Sequence, residues 1–256
     1  MTFLPGAAAP RCKLKIMPEL YNPVKRKLLE GHKVVGGLIH TTDPEIYCAM
    51  ARAGFDFLWI EMQHSPLNYQ DVARMIRAAQ GLEAVPFIRV PDASESDIQK
   101  ATDIGALGII VPMVDSPEKI RAAVRFAKYP PEGRRSYGNA QAAWLWGERY
   151  RQTANENLMI VAMIETPEGV VAARQIAAVE GVDVIFAASY DLSSFSGLPP
   201  GHPDYEAMVE QIHSATLDAG KVLGGPLSWR DRPGFRFFHG PPESEIIAAG
   251  AKLLLG

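Results

Sequence analysis

Short apolar runs alternate along the chain with longer stretches in which apolar positions recur every three or four residues. The junction between the two is repeated. A helix-period segment ends at glycine and a β-branched or aromatic run follows at once, as in "MARAGFDFLWIE", "ATDIGALGIIVPM", "AAVEGVDVIFAAS" and "PGFRFFHG". Glycine at that junction stops a helix in the left-handed region and allows a tight lead into a strand. The pattern predicts eight strands, at about 33–40, 55–61, 84–90, 107–113, 158–165, 182–188, 221–226 and 235–239. Between most of them lie amphipathic segments: "DPEIYCAMARAG", "YQDVARMIRAAQG", "SESDIQKATDIG", "SPEKIRAAVRFAKY", "TPEGVVAARQIAAV" and "DYEAMVEQIHSATLDAG". Several open with Ser, Thr or Asp followed by Pro or Glu, which is helix N-cap chemistry.

Strand–helix alternation argues for a parallel sheet, and eight rounds of it for a closed (β/α)8 barrel. The expectation is one α/β domain over residues 1–256. A doubly wound open sheet is the alternative, but no Gly-x-Gly-x-x-Gly follows any strand, so a dinucleotide site has no support. Three irregularities stand out. Residues 1–31 precede the first strand as an extension, and "NPVKRKLLEG" within it reads as an extra helix closing the barrel's base. Residues 129–157 form a connection far longer than usual. Only "SWRDRPG" separates strands seven and eight, so the seventh βα unit is degenerate.

Composition narrows the function classes. The chain of 256 residues is 47% hydrophobic and 21% charged, with net charge −3. A pI near 6.1 offers no long-range attraction to nucleic acid or anionic membrane. The start lacks a basic region followed by a long apolar core, so no signal peptide is expected. No apolar run reaches the length of a membrane helix. Two cysteines, Cys12 and Cys48, build no disulfide framework, and a cytoplasmic location is the expectation.

In a (β/α)8 barrel the chemistry sits at the C-terminal ends of the strands. Strand two ends in Glu61 and His64, strand three in Arg89, strand five in Glu165 and strand six in Asp191. Each has a plain alternative as a solvated rim residue or a partner for the following helix dipole. Together, five ionisable groups on four strands converge on one mouth. Glu165 and Asp191 are hard oxygen donors, with no Cys or His at ligand spacing between them, which suits Mg²⁺ or Mn²⁺ better than tetrahedral zinc. No lysine stands at these strand ends to form a Schiff base. A metal beside an arginine can polarise a 2-oxo acid and stabilise its enolate. His64, oriented by Glu61, can move the proton. Backbone N–H groups in the stretch Ser189, Tyr190, Asp191, Leu192 can hold the substrate carboxylate.

These residues resemble the HpcH/HpaI aldolases, metal-dependent class II pyruvate aldolases of the phosphoenolpyruvate/pyruvate-type barrels. The likeness covers roughly residues 25–225. It rests on "GFDFLWIEMQHSP", "PFIRVP", "GALGIIVPMV", "AKYPPEGRRSYG", "MIETPEGV" and "AASYDLSSFSG". The resemblance implies a 2,4-dihydroxyhept-2-ene-1,7-dioate aldolase-like enzyme acting on a 2-oxo acid (pyruvate or hydroxypyruvate) and an aldehyde. It places the catalytic histidine on His64, its supporting acid on Glu61, the enolate-stabilising arginine on Arg89 and the metal ligands on Glu165 and Asp191. It implies Mg²⁺ or Mn²⁺, with Co²⁺ as a further option. A homo-oligomer is implied too: dimers that exchange a C-terminal helix, here "PPESEIIAAGAKLL", and build a hexamer.

The sequence departs from the family pattern at Gln63, where an acid is usual, at Met163, where Gln is common, and at Tyr190, a bulky ring beside the oxo-acid site. Macrophomate synthase, a fungal member similar in the "GRRS" segment, makes the same enolate by decarboxylating oxaloacetate. An oxaloacetate decarboxylase is therefore the first alternative, and a non-catalytic binding barrel the second. Arg135, Tyr137, Trp144 and Trp146, in the long connection, are either a lip over the site or packing on the barrel rim. His40 is placed at the rim, and His202, His213 and His239 are given no functional role.

Overall fold

The computed structural model describes residues 20–138 and 140–256; Cys12 lies outside them. Eight strands close into a barrel in sequence order, every neighbouring pair parallel. They are β1 (Val34–Ile39), β2 (Phe57–Glu61), β3 (Val85–Arg89), β4 (Gly108–Val111), β5 (Met159–Ile164), β6 (Val184–Ala187), β7 (Val222–Pro226) and β8 (Phe235–Pro242). The expected strands are all present, and β8 runs three residues past its expected end.

Helix α1 (Pro23–Leu29) is capped by Asn22, whose side chain accepts from the N–H groups of Val24 and Lys25. Val24 and Leu28 are buried with the inward-facing barrel residues, so α1 plugs the base. Helices α2 (Pro44–Ala51), α3 (Tyr69–Ala78), α4 (Glu95–Asp103) and α5 (Pro117–Ala127) follow β1 to β4 in turn. Asp43 caps α2, accepting from Glu45 N at 2.7 Å, and Ser94 caps α4. Ser116 breaks the pattern and makes no side-chain cap bond.

The long connection folds into α6 (Ala140–Trp146) and α7 (Tyr150–Asn157). It joins α5 to β5, so it lies where strands begin, opposite the strand ends that carry the chemistry. Trp146 Nε1 donates to the carbonyl of Gly105, just before β4, and its ring stacks on Tyr21 at 5.8 Å. Arg135 is buried between Asp103, at 2.6 Å, and the Tyr150 hydroxyl, at 2.9 Å. A lip over the site is therefore ruled out for these residues. Arg135 and Trp146 buttress the base, while Tyr137 and Trp144 are exposed.

After β5 the segment expected as one helix breaks at Ala172 into α8 (Pro167–Val171) and α9 (Ala173–Ala177). Helix α10 (Ser189–Ser196) starts directly after β6, and α11 (Pro203–Asp218) leads to β7. The degenerate seventh unit is a 3₁₀ turn at Leu227–Trp229, and α12 (Glu243–Leu255) ends the chain.

Strand side chains alternate between the barrel interior and the helix layer. Phe57, Trp59 and Glu61 share the inward face of β2, as Phe87 and Arg89 share that of β3. On the far side Val161, Met163 and Glu165 continue one face from β5, and Phe186 and Ala188 one face from β6. The interior is aromatic. Phe57 lies 4.7 Å from Phe87 and 4.6 Å from Phe237 by ring centroid. Such rings require missing side chains beside them: a Cβ on Gly36, opposite Phe57, or on Gly108, opposite Phe87, would fall 2.2 Å from the ring. Each fully buried ring contributes about 2 kcal/mol by apolar burial. Above this layer lie Trp59, Phe186 and His239, and above them the charged strand ends.

Candidate active site

Because alternation sends Glu61, Arg89 and Glu165 inward from strands whose lower positions are fully apolar, their charges meet in one place. Arg89 is the centre. Its Nη1 contacts Glu61 Oε2 at 3.3 Å and its Nη2 contacts Glu165 Oε1 at 3.0 Å, with all three side chains buried. Its Nε has no acceptor among the described residues. Glu165 also accepts the backbone N–H of Met113. Met113 presents that N–H from a left-handed conformation, φ 52°, uncommon for a side chain with a Cβ and found where a site imposes it. Burial pushes the Glu165 carboxyl up to about 7, although Arg89 and the Met113 N–H pull it down; nearby Asp191 adds like charge.

Asp191 stands in the first turn of α10. The N-cap Ala188 makes no side-chain cap bond, so the helix start leaves the N–H groups of Ser189, Tyr190 and Asp191 without intrahelical acceptors. Free N–H groups at a helix start have the chemistry to hold an anion. Leu192 drops out of the expected set, because its N–H is taken by the carbonyl of Ala188 and its side chain is buried in the helix layer. The Tyr190 residue lines the strand-end cavity with its side chain 85% exposed.

The expected Glu61–imidazole pair also needs correction. Glu61 Oε1 accepts from the backbone N–H of Gln63, at 2.8 Å, and of His64, at 3.0 Å. Its carboxylate therefore shapes the turn that carries His64. The imidazole itself is exposed and has no hydrogen-bond partner among the described residues. His40 is likewise a rim residue: its backbone N–H and, at 3.9 Å, its ring meet Glu243.

Residues 38–226 match the sequence profile of the HpcH/HpaI aldolase/citrate lyase family. The chain belongs to that family. It is 35% identical over 210 residues to the 2-keto-3-deoxy-L-rhamnonate aldolase of Klebsiella pneumoniae, covering 80% of this chain and 79% of that one. Identity is also 35% over 210 residues to a hydroxypyruvate/pyruvate aldolase of Pseudomonas aeruginosa, covering 79% and 78%. Among solved structures, an HpcH/HpaI aldolase/citrate lyase family protein from Burkholderia cenocepacia superposes with TM-score 0.83 at 27% identity, covering 91% of this chain and 98% of that one. Macrophomate synthase shares the fold, with TM-score 0.80 at 22% identity over 93% and 89% of the two chains.

In this HpcH/HpaI member a cavity of about 80 Å³ opens at the strand ends, lined by Trp59, Arg89, Phe186, Asp191, Pro226 and His239 among others. A far larger one, about 680 Å³, lies at the base between α1 and α5, with four basic and four acidic side chains. The base cavity has the volume but no net charge and no strand-end groups, so size does not locate the chemistry. His239 and Trp59 were missed from the sequence. Counting by twos from Phe237 along β8 places His239 inside the barrel, and from Phe57 along β2 does the same for Trp59. Burial, with Arg89 beside it, pushes the His239 imidazole down to about 4, so it is neutral at ordinary pH.

Among the described residues no cluster of three or more His, Cys, Asp or Glu side chains gathers as a metal site. The carboxylates at the mouth with the chemistry to hold an ion are Glu165 and Asp191. Such a set fits a hard, oxygen-seeking divalent ion that keeps water or substrate in its remaining positions. The raised Glu165 fits as well: a buried carboxyl held near its proton by desolvation is relieved by an adjacent cation.

Proposed function

We propose that this family member is a divalent-metal-dependent 2-oxo-acid aldolase, joining or cleaving a carbon–carbon bond through an enolate. The observation that carries the reading is Arg89, held between Glu61 and Glu165 with Asp191 and the start of α10 at the same mouth. Glu165 and Asp191 would hold Mg²⁺ or Mn²⁺, which when bound supplies Lewis-acid polarisation of the 2-oxo group. The N–H groups of Ser189, Tyr190 and Asp191 hold the substrate carboxylate. Arg89 faces the oxygen on which enolate charge develops. His64 moves the C3 proton, on a turn kept in place by Glu61. A small 2-oxo acid and an aldehyde are the partners. A homo-oligomer belongs to the same reading, since α12 leaves Ile247, Leu253, Leu254 and Leu255 uncovered.

The test is deuterium exchange into the methyl group of pyruvate, followed by NMR with Mg²⁺ or Mn²⁺ and again with EDTA. Exchange that needs metal and is lost in His64→Ala supports the reading. Absence of exchange in metal-loaded protein overturns it. The second reading, decarboxylation of oxaloacetate to the same enolate, is favoured by one observation: among the described residues no carboxylate engages the His64 imidazole, and decarboxylation needs no base. Turnover of oxaloacetate without pyruvate exchange would select it.

A further inference from the structure

We propose that Tyr190 and Phe195, two aromatic side chains of α10 at the barrel mouth, form the binding surface for the aldehyde, and that the aldehyde they select has an uncharged aromatic body. This rests on the aldolase reading above and adds an acceptor class and two residues to it.

The helix sets both side chains beside the chemistry. Tyr190 precedes Asp191 in the first turn of α10 and lines the strand-end cavity with Arg89 and Asp191, yet it is 85% exposed. Phe195 stands four residues after Asp191, so the two share one face of α10. Helical side chains lean toward the N-terminus, over the preceding turn. Phe195 therefore leans over the turn that carries Asp191, and it is 55% exposed. Single exposed apolar residues are ordinary on a protein surface. Two aromatic ones on either side of a candidate metal ligand, at the open end of a barrel, mark a place where a ligand lands.

The small cavity of about 80 Å³ takes the 2-oxo acid and leaves the aldehyde at the rim above it. Three kinds of aldehyde body fare differently there. One with an acid group needs a cation, but Arg89 is the one cation lining the cavity and both its Nη groups serve Glu61 and Glu165. His239, which also lines it, is neutral. A polyol needs a partner for each hydroxyl it withdraws from water. Two of the four serines on α10, Ser193 and Ser196, already spend their hydroxyls on backbone carbonyls. An aromatic body stacks against the exposed rings and takes apolar surface of both partners out of water. The enolate C3 then bonds to the aldehyde carbon, the carbonyl π pair passes to the oxygen, and that oxygen takes up the proton lost from C3. The product is a 4-aryl-4-hydroxy-2-oxo acid, and cleavage runs the same steps backward.

The experiment compares wild type, Tyr190→Ala, Tyr190→Phe and Phe195→Ser, each loaded with Mg²⁺, in the addition of pyruvate to benzaldehyde, glycolaldehyde and succinic semialdehyde. Saturation-transfer NMR with benzyl alcohol, an unreactive analogue of benzaldehyde, reads binding without turnover. Wild type is expected to favour benzaldehyde about tenfold or more in kcat/KM over each of the other two. Tyr190→Ala and Phe195→Ser are each expected to lose about fivefold to tenfold on benzaldehyde, chiefly in KM, against less than about threefold on glycolaldehyde. Benzyl alcohol saturation should fall in the same two variants. Tyr190→Phe keeps the ring and should match wild type on benzaldehyde to within about twofold. A wild-type preference for glycolaldehyde or succinic semialdehyde overturns the inference. So do equal losses on all three aldehydes, which, joined to a changed assembly in size-exclusion chromatography, would show that a second copy of the chain covers the rings. Either result leaves the aldolase reading standing while wild type still exchanges the methyl protons of pyruvate. Loss of that exchange in wild type overturns both.

Discussion

Replacing Arg89 by methionine tests the arrangement at its centre. The guanidinium stands 3.0 Å from Glu165 and 3.3 Å from Glu61. At an effective dielectric near 20 the closer contact is worth roughly 5 kcal/mol of raw attraction, before desolvation is counted. In practice an adjacent guanidinium holds a carboxyl down by about one to three pH units. Glu165 already sits at about 7 with Arg89 present. Without it, a rise of about two pH units would leave roughly one molecule in thirty ionised at pH 7.5, against about three in four in wild type. Metal must then displace a proton, and affinity at pH 7.5 falls about 25-fold. Removing a positive charge beside a cation site acts the other way, so the variant gains on wild type once Glu165 ionises. The assay is Mn²⁺ titration from pH 6 to 9.5. Wild-type affinity should flatten just above pH 7, while the variant keeps rising and meets or crosses it near pH 9 or above. Two parallel profiles would refute the link between Arg89 and the metal ligand.

Further outcomes follow from the same groups. Glu165 has a folded-state value of about 7 against 4.5 unperturbed, so its contribution to stability is complete below about 4.5 and is lost as pH rises through 7. Metal-free protein should therefore lose about 3 kcal/mol from this group between pH 4.5 and 8, a loss absent in Glu165→Gln; denaturant unfolding at both pH values checks it. Glu61→Gln removes the charge that gathers two backbone N–H groups, costing about 1.5–3 kcal/mol, and hydrogen exchange at Gln63 and His64 should accelerate; unchanged protection would show that the turn holds itself. Gly108→Ala drives a Cβ into Phe87 and should destabilise by about 1–3 kcal/mol in thermal melts, with Phe87→Leu in the same chain restoring part of the loss.

The barrel was legible because each unit repeats one piece of local chemistry: a Gly-stopped helix, an apolar strand, a polar cap. Glu61, Arg89, Glu165 and Asp191 were legible because the strand end is a fixed address in this architecture and charges there are few. What escaped depended on parity and on direction. His239 sits in a run, "FRFFHG", that looks like plain apolar strand until it is counted by twos, and Trp59 hides in "DFLWIE" as a core residue. The Glu61–His64 pair was inferred from adjacency in sequence, but the shorter path for that carboxylate is to the backbone N–H groups two and three residues on. The aromatic connection was left open between a lip over the site and packing on the rim, because its length suggested a lid. Its position between a helix and the following strand had already assigned it to the base.

That closed base has a kinetic consequence. With α1, α6 and α7 stopping the lower end and rings filling the middle, the barrel formed by the described residues opens at the strand ends. Whatever occupies the 80 Å³ cavity lies beneath anything that arrives later. The 2-oxo acid must therefore enter before the aldehyde and, in the cleavage direction, leave after it. An acid analogue without a reactive C3 should compete with the oxo acid in the forward direction and, because it occupies the free enzyme, compete with the aldol in cleavage as well.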